Sequence, residues 1–387
     1  MSGFDADVIV VGGGLAGVAA AIAVAKAGLR TIHLAPSAPP DRRTSALMMP
    51  SVDYLRRAGL IETPAALGHA LTQIRIIDAT GRLIRAPETL FDAGEAGLEA
   101  FGWNFANRTL LERFHAVAAS LKTLETRAVG AKALDRDAAG WTVTLSDDTP
   151  LRVPLVVGAD GKKSLVRSAA GLRASERQFD QSALVCDLDL GRPIGGTSIE
   201  FHYPKGPFTL VPAGGNRANL VWIDDAAVLA EAQAGGTEAL LAIFAEKSQR
   251  LFGTIAMATP SFVFPLSTLS VARAGQDGVV LVGESAHAFP PIGAQGLNLG
   301  LRDVADLAAV LDGADRDQTD WADQLSVDYA RRRNTDLAQT GGVVDTLFRS
   351  LLADMVPAQA LRAGGLWALK LAPNLRRQAF DVGMGRR

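Results

Sequence analysis

The first apolar run, Val8-Ile9-Val10-Val11, is short, continuous and β-branched, the pattern of a strand buried on both faces. It enters Gly12-Gly13-Gly14-Leu15-Ala16-Gly17, after which Ala and Val recur as far as Gly28, so the pattern predicts a strand, a tight turn and a helix. Thr31 to Leu34 predicts a second strand. Continuous apolar runs return at Leu155–Val157, before Gly158-Ala159-Asp160-Gly161, and at Val279–Val282, before Gly283-Glu284. From Leu297 the apolar positions Leu297, Leu301, Val304, Ala305 and Ala308 fall at helical spacing. Between Glu176 and Ser270 the pattern alternates instead, at Ala183 to Leu190, Thr197 to Tyr203, Phe208 to Pro212, Ala218 to Trp222 and Ser261 to Leu266. That predicts an antiparallel sheet with one buried face, interrupted by a helix near Thr237 to Phe252.

Shorter signals fill the gaps. Ser51 to Leu60 has helical spacing, Trp141 to Leu145 alternates as a strand, and Gln73–Asp78 with Arg82–Ile84 flank a Thr80-Gly81 turn as a hairpin. Trp103 to Phe114 contains a helix that Asn107 is placed to cap. Near the end, Val344, Leu347, Phe348, Leu351, Leu352 and Met355 make an amphipathic stripe, and Leu366 to Leu371 precedes basic Arg376 and Arg377.

With 387 residues, 48% of them apolar, the chain holds two domains or one large α/β body. A net charge of −2 gives no global attraction to nucleic acid. The single cysteine, Cys186, excludes a disulfide framework and suits a reducing, cytoplasmic setting. No basic segment precedes the first apolar run, which argues against a signal peptide, and no uninterrupted apolar run has the length of a membrane span. The five histidines form no evident metal-ligand or nucleophilic constellation. What remains is a dinucleotide-binding signal. Gly12 makes the turn, Gly14 admits a pyrophosphate and Gly17 lets the helix pack on the strand. The acid that normally holds the adenosine ribose is missing; Ala35 and Pro36 stand there, leaving Ser37 or water for that contact.

Four strings carry a resemblance. GESAHAFPPIGAQGLN, from Gly283, resembles the second flavin motif of the para-hydroxybenzoate-hydroxylase-like FAD monooxygenases, with Glu284 where aspartate is usual. GADGKKSLVR, from Gly158, resembles that family's second nucleotide string, and DRRTSAL and NRTLL, from Asp41 and Asn107, resemble two shorter ones. Within the family, PPIGAQGLNLGLRD and the GPFTLVP strand are most similar to the ubiquinone-biosynthesis hydroxylases.

The resemblance implies an α/β fold: a Rossmann-like FAD-binding domain built from 1–72, 100–175 and 271–340, with an antiparallel-sheet substrate domain from 73–99 and 176–270 inserted, and C-terminal helices over 341–387. It implies FAD held by Gly12, Gly14, Leu15, Ala16 and Gly17, by Arg43 and Arg108, by Asp160 and Gly161, and by Gly283, Glu284, Gly293, Ala294, Gly296, Leu297 and Asn298. Backbone N–H groups at Gly296-Leu297-Asn298 would face the flavin's pyrimidine edge, and His287 would make a structural hydrogen bond beside it. The substrate pocket would draw on Tyr203, Phe208, Leu210, Trp222, Pro290, Pro291 and Ile292, although core packing is the better reading for the first four. The implied activity is aromatic-ring hydroxylation of a polyprenylated ubiquinone precursor through a flavin C4a-hydroperoxide, with dioxygen as co-substrate and NAD(P)H or a partner protein as electron donor. A hydrophobic small molecule is the expected ligand; a membrane surface or a quinone-biosynthesis protein is the expected partner, docked by the basic C-terminal segments. Three other readings stay open: a hydroxylase of a small soluble phenol, a flavin reductase or dehydrogenase on the same fold, and an assembly subunit that has lost FAD.

Overall fold

The computed structural model describes residues 3–81, 86–291 and 294–352, with side chains as far as 337. Among them, six strands form a sheet in the order Gly275–Gln276, Val279–Leu281, Leu155–Gly158, Val8–Val11, Thr31–Leu34, Leu124–Arg127. All neighbours run parallel except the first pair. Val8–Val11 lies inside this sheet and is wholly buried, which is why it reads as an unbroken apolar run. The helix Leu15–Lys26 covers one face; its Gly17 meets Gly12, where a Cβ would sit 2.0 Å from the Gly12 carbonyl oxygen. The helix Gln295–Gly313 packs beside it, and Trp321–Leu352 packs on Gln295–Gly313 in turn.

The second body is a nine-stranded sheet. Its central strand, Ala174–Leu190, pairs antiparallel with Arg217–Asp225 on one side and Phe262–Val271 on the other. Beyond Arg217–Asp225 come Gly206–Pro212, Thr197–Tyr203 and, running parallel to that last strand, Gln73–Asp78. Two helices, Ala226–Ala234 and Gly236–Lys247, lie against one face and bury Leu229, Leu240 and Phe244 on it. The alternation between Glu176 and Ser270 foretold this sheet, but only one helix, and the Ala226–Ala234 helix was not expected.

Two local expectations change. Gln73–Asp78 pairs with Thr89–Asp92, so its partner lies further along the chain than a tight hairpin would place it; residues 82–85 are outside the described set. Asn107 is the first residue of the Asn107–Ala119 helix and caps nothing with its side chain. The preceding segment, Gly102–Ala106, is a strand between Thr44–Met48 and Gly68–Leu71. The C-terminal stripe from Val344 falls where side chains are not described, and the segment from Leu366 to Arg377 lies outside the described residues.

Candidate active site

A cavity of about 890 Å³ opens where the carboxyl ends of Val8–Val11, Leu155–Gly158 and Val279–Leu281 meet the large sheet. Gly12, Gly14, Leu15, Ala16 and Gly17 line it. Gly12 (φ +131°) and Gly17 are dictated by the protein itself, since a Cβ on Gly12 would lie 2.1 Å from the Ala159 carbonyl oxygen. Gly14 is different: a Cβ there would meet no protein atom within 4 Å, so its bareness serves what enters the cavity. Gly14 precedes the Leu15–Lys26 helix, whose first turn has no side-chain cap and no acid. Its free N–H groups and positive dipole end therefore face the cavity, an arrangement that favours a phosphate-bearing ligand.

A second helix start faces the same space. Ala294, at φ 55°, precedes the Gln295–Gly313 helix, again with no side-chain cap and no acid in the first turn. Gln295, Gly296 and Leu297 line the cavity, and a Cβ on Gly296 would meet nothing. Asn298 does not line it. Its side chain accepts from the Met48 N–H at 2.9 Å and donates to the Ala46 and Ala294 carbonyls, at 2.8 and 2.6 Å, tying the Thr44–Met48 strand to the helix start. Pro291 lines the cavity, Pro290 is buried behind it, and Ile292 and Gly293 lie outside the described residues.

Gly283 (φ +62°) turns the chain so that Glu284 is exposed to the cavity, and no hydrogen bond of the Glu284 carboxylate is seen among the described residues. Behind this turn is a buried polar lock. Asp303 accepts from the Gly283 N–H at 2.8 Å and lies 2.6 Å from His287 Nε2. Arg333, 0% exposed, closes on Asp303 at 2.6 Å and on Asp306 and Asp336 at 2.7 Å each. Burial alone would raise the Asp303 pKa; the neighbouring His287 and Arg333 charges and the Gly283 hydrogen bond outweigh it and hold the carboxyl below its ordinary range. His287 is itself buried, does not reach the cavity, and serves the turn.

On the other side, Asp41, Arg43 and Asn107 line the cavity as one unit. Arg43 donates to Asp41 at 2.8 and 2.9 Å, and Asn107 donates to Asp41 at 2.9 Å while accepting from Ser45 at 2.7 Å. Arg108, expected at the cofactor, is on the wrong side of its helix. One residue is about 100° of helical turn, and Arg108 points to solvent, 3.6 Å from Glu112. Asp160 and Gly161 line the cavity, but the Asp160 carboxylate is engaged: it accepts from Ser164 Oγ at 2.5 Å and from the Leu165 and Val166 N–H groups at 2.7 and 3.1 Å. Beside the Thr31–Leu34 strand, Pro36, Gly130 and Ala131 line the cavity rather than Ser37.

The sheet wall corrects the pocket residues. Phe208, Leu210 and Trp222 are at most 1% exposed and lie in the core beneath the two helices; Tyr203 packs against the same core and donates to the Lys247 carbonyl at 2.8 Å. Strand residues alternate faces, so the cavity takes their neighbours: Ser198, Glu200, Pro207, Thr209, Val211, Asn219 and Val221. Two polar features emerge on the wall. Glu200 lies 3.2 Å from His202 Nε2. Asn104 donates to Asn219 at 2.7 Å, which donates to Asp187 at 2.6 Å.

Among the described residues no group of His, Cys, Asp and Glu side chains could hold a metal ion. A ubiquinone hydroxylase, UbiL, of Rhodospirillum rubrum is 31% identical over 98% of this chain and 90% of its own length. The 3-demethoxyubiquinol 3-hydroxylase of Escherichia coli is 29% identical over the full length of both. Among solved structures, PqsL of Pseudomonas aeruginosa shares the fold, with a TM-score of 0.79 over 94% of this chain and 99% of PqsL at 22% identity. The profile of the FAD binding domain family matches residues 5–336, so both helix starts, the lock behind Glu284 and the sheet wall all fall inside it, and the chain belongs to that family.

Proposed function

We infer that this chain is an FAD-dependent monooxygenase that hydroxylates the ring of a ubiquinone precursor. The observation that carries the reading is one cavity bounded by two uncapped helix starts at one end and by a sheet wall of mixed polarity at the other. The residues present fit FAD. Gly14 and Gly296 leave space that no protein atom fills, and Glu284 offers a carboxylate to the same space. The names of the relatives from R. rubrum and E. coli support the substrate class.

The Leu15–Lys26 N-terminus would hold the pyrophosphate, and Glu284 would accept hydrogen bonds from the ribityl hydroxyls. The N–H groups at Gln295-Gly296-Leu297 would face the pyrimidine edge, where they stabilise negative charge. Bound FAD, once reduced, supplies oxygen activation and delivery of one oxygen atom to an electron-rich ring. The protein's part is to orient that ring and keep water from it. Thr209 and Glu200 line the cavity and would meet a ring hydroxyl, with Val211 and Val221 against the ring. A hydroxyl that gives up its proton to Glu200 makes the ring more electron-rich, and His202 behind Glu200 steadies the carboxylate in position. Among the described residues no helix is long and apolar enough to cross a membrane. Contact with a membrane surface or with other quinone-pathway proteins is part of the same proposal, because a tailed substrate has to be fetched from lipid.

The test is turnover of purified yellow protein with a prenylated phenol, NAD(P)H and isotope-labelled dioxygen. Label in a hydroxylated ring, with oxygen consumed in proportion to reductant, is the expected result. NAD(P)H oxidation without labelled product would move the protein to the reductases, and turnover of an untailed phenol alone would move it to the small-phenol hydroxylases. Deleting the gene should lower ubiquinone and raise a prenylated intermediate.

A further inference from the structure

The sheet face that walls the cavity does not end where the cavity ends. Strand pairing aligns one row of residues across it: Ile76, Glu200, Thr209, Val221, Val185 and Phe262. Partners directly opposite share a face, so this whole row points to the cavity side. The adjacent row, Ile77, Phe201, Phe208, Trp222, Leu184 and Val263, points to the helix-covered core. Glu200, Thr209 and Val221 line the cavity; Val185 and Phe262 continue the row beyond it. A parallel row runs from Ile223 through Ala183 to Phe264. Ala183, Ile223 and Leu266 form an apolar cluster of their own on this side, with Phe179 and Val221 packed against it.

The row ends in two exposed aromatics. Phe262 is 43% and Phe264 46% exposed, and their rings stack 6.5 Å apart at 27°. Adjacent exposed aromatic rings on one strand face mark a surface built to meet something apolar. The wall is therefore graded. An acid and a hydroxyl stand at one end, and no charged residue interrupts Val221, Val185 and Phe262. Four strand spacings of about 4.8 Å put the aromatic pair roughly 19 Å from Glu200.

We propose that this face is the substrate's tail site: a prenyl-type hydrocarbon tail leaves the cavity over Val221 and Val185 and lies on the Phe262–Phe264 pair, while the ring stays at Thr209 and Glu200. The proposal rests on the function inferred above and names where that substrate's apolar half is bound. Its occupant follows from continuity, because the apolar row begins inside the cavity that would hold the ring and ends at the only exposed aromatic pair among the described residues.

The experiment is steady-state kinetics in detergent solution with one phenolic ring carrying either a long prenyl tail or a single methyl group. Wild type is compared with Phe262→Ser/Phe264→Ser and with the milder Phe264→Leu. Both side chains are exposed, so FAD content and melting temperature should match wild type. The double variant is expected to raise KM for the long-tailed ring by roughly tenfold, with kcat and the methyl-ring KM unchanged, and Phe264→Leu should retain most of the wild-type value. An unchanged long-tail KM overturns the proposal, as does an equal rise for both rings. Lost binding to anionic lipid vesicles with unchanged tail dependence would assign the pair to a membrane surface instead. Conversion of a dimer to a monomer with unchanged tail dependence would assign it to a second copy of the chain. A wild type that hydroxylates only the methyl ring overturns the functional reading and this proposal together; a wild type that prefers the long tail, paired with an indifferent double variant, overturns this one alone.

Discussion

Glu284 is one methylene longer than the aspartate usual in its motif, and after the Gly283 turn it is exposed and lines the cavity. Glu284→Ala should weaken FAD binding by about 1–3 kcal/mol, the range for leaving a buried polar partner unsatisfied. Glu284→Asp should cost less, and a fluorescence titration of apoprotein with FAD distinguishes the two. Equal affinity in wild type and Glu284→Ala would show that the carboxylate takes no part. Asp41 makes a different residue-scale case. Burial tends to raise its pKa, yet hydrogen bonds from Arg43 and Asn107 hold it down to about 2. A carboxyl depressed in the folded state stabilises that state above its unfolded value, near 3.8, and the contribution is lost as pH falls through about 2. Acid unfolding monitored by tryptophan fluorescence should therefore begin at higher pH in Asn107→Ala, which lacks one of these hydrogen bonds. That Gly12, Gly14, Gly17, Gly161, Gly283, Glu284 and Gly296 share one cavity was legible because each motif is a local string whose spacing is its meaning. Arg108 was misplaced because a string gives its position along the helix, whereas helical phase decides what the side chain can reach.

At the scale of elements, alternation in the large sheet told which residues share a face but not which face meets the cavity. A single-residue step separates Phe208 and Trp222, in the core, from Thr209 and Val221, on the cavity wall. Aromatic side chains are conspicuous in a sequence, and here they are spent on packing: Phe201, Phe208, Trp222 and Phe244 have ring centroids 6.1 to 6.5 Å apart. The two faces make opposite predictions. Trp222→Ala should destabilise the fold by about 3–5 kcal/mol through the cavity it leaves, shifting the denaturant midpoint. Val221→Trp should leave the midpoint near wild type and raise KM for the tailed ring, because the added bulk enters the cavity. If Trp222→Ala instead changed KM without changing stability, the face assignment would be wrong. The Ala226–Ala234 helix escaped notice because its nine residues are too few and too alanine-rich to show a clear apolar stripe.

At the scale of the whole molecule, the Glu284 turn and the helix that starts at Gln295 are held by one buried charge cluster. Asp303 links the Gly283 turn to the Gln295–Gly313 helix, and Arg333 links Asp303 to the long Trp321–Leu352 helix. Asp303→Asn keeps the shape and removes the charge, which should destabilise the protein by about 3 kcal/mol, the lower end for breaking a buried pair. The low end is expected because Arg333 retains Asp306 and Asp336. Urea denaturation reads this, and an unchanged midpoint would refute the lock. The order of strands has a further consequence. Val279–Leu281 completes the parallel sheet by pairing with Leu155–Gly158, across the stretch that builds most of the large sheet. A chain emerging from the ribosome thus exposes Gly12–Gly17 long before it owns Glu284 or the second helix start, and closing so long a loop is slow. On the reading proposed above, only a chain that has passed the second helix start would hold FAD from both ends, so only such chains would gain the stabilisation that ligand binding confers by mass action. Cofactor supply then acts on turnover: in flavin-starved cells the newly made protein should be degraded faster, a change that a pulse-chase of its half-life would read directly.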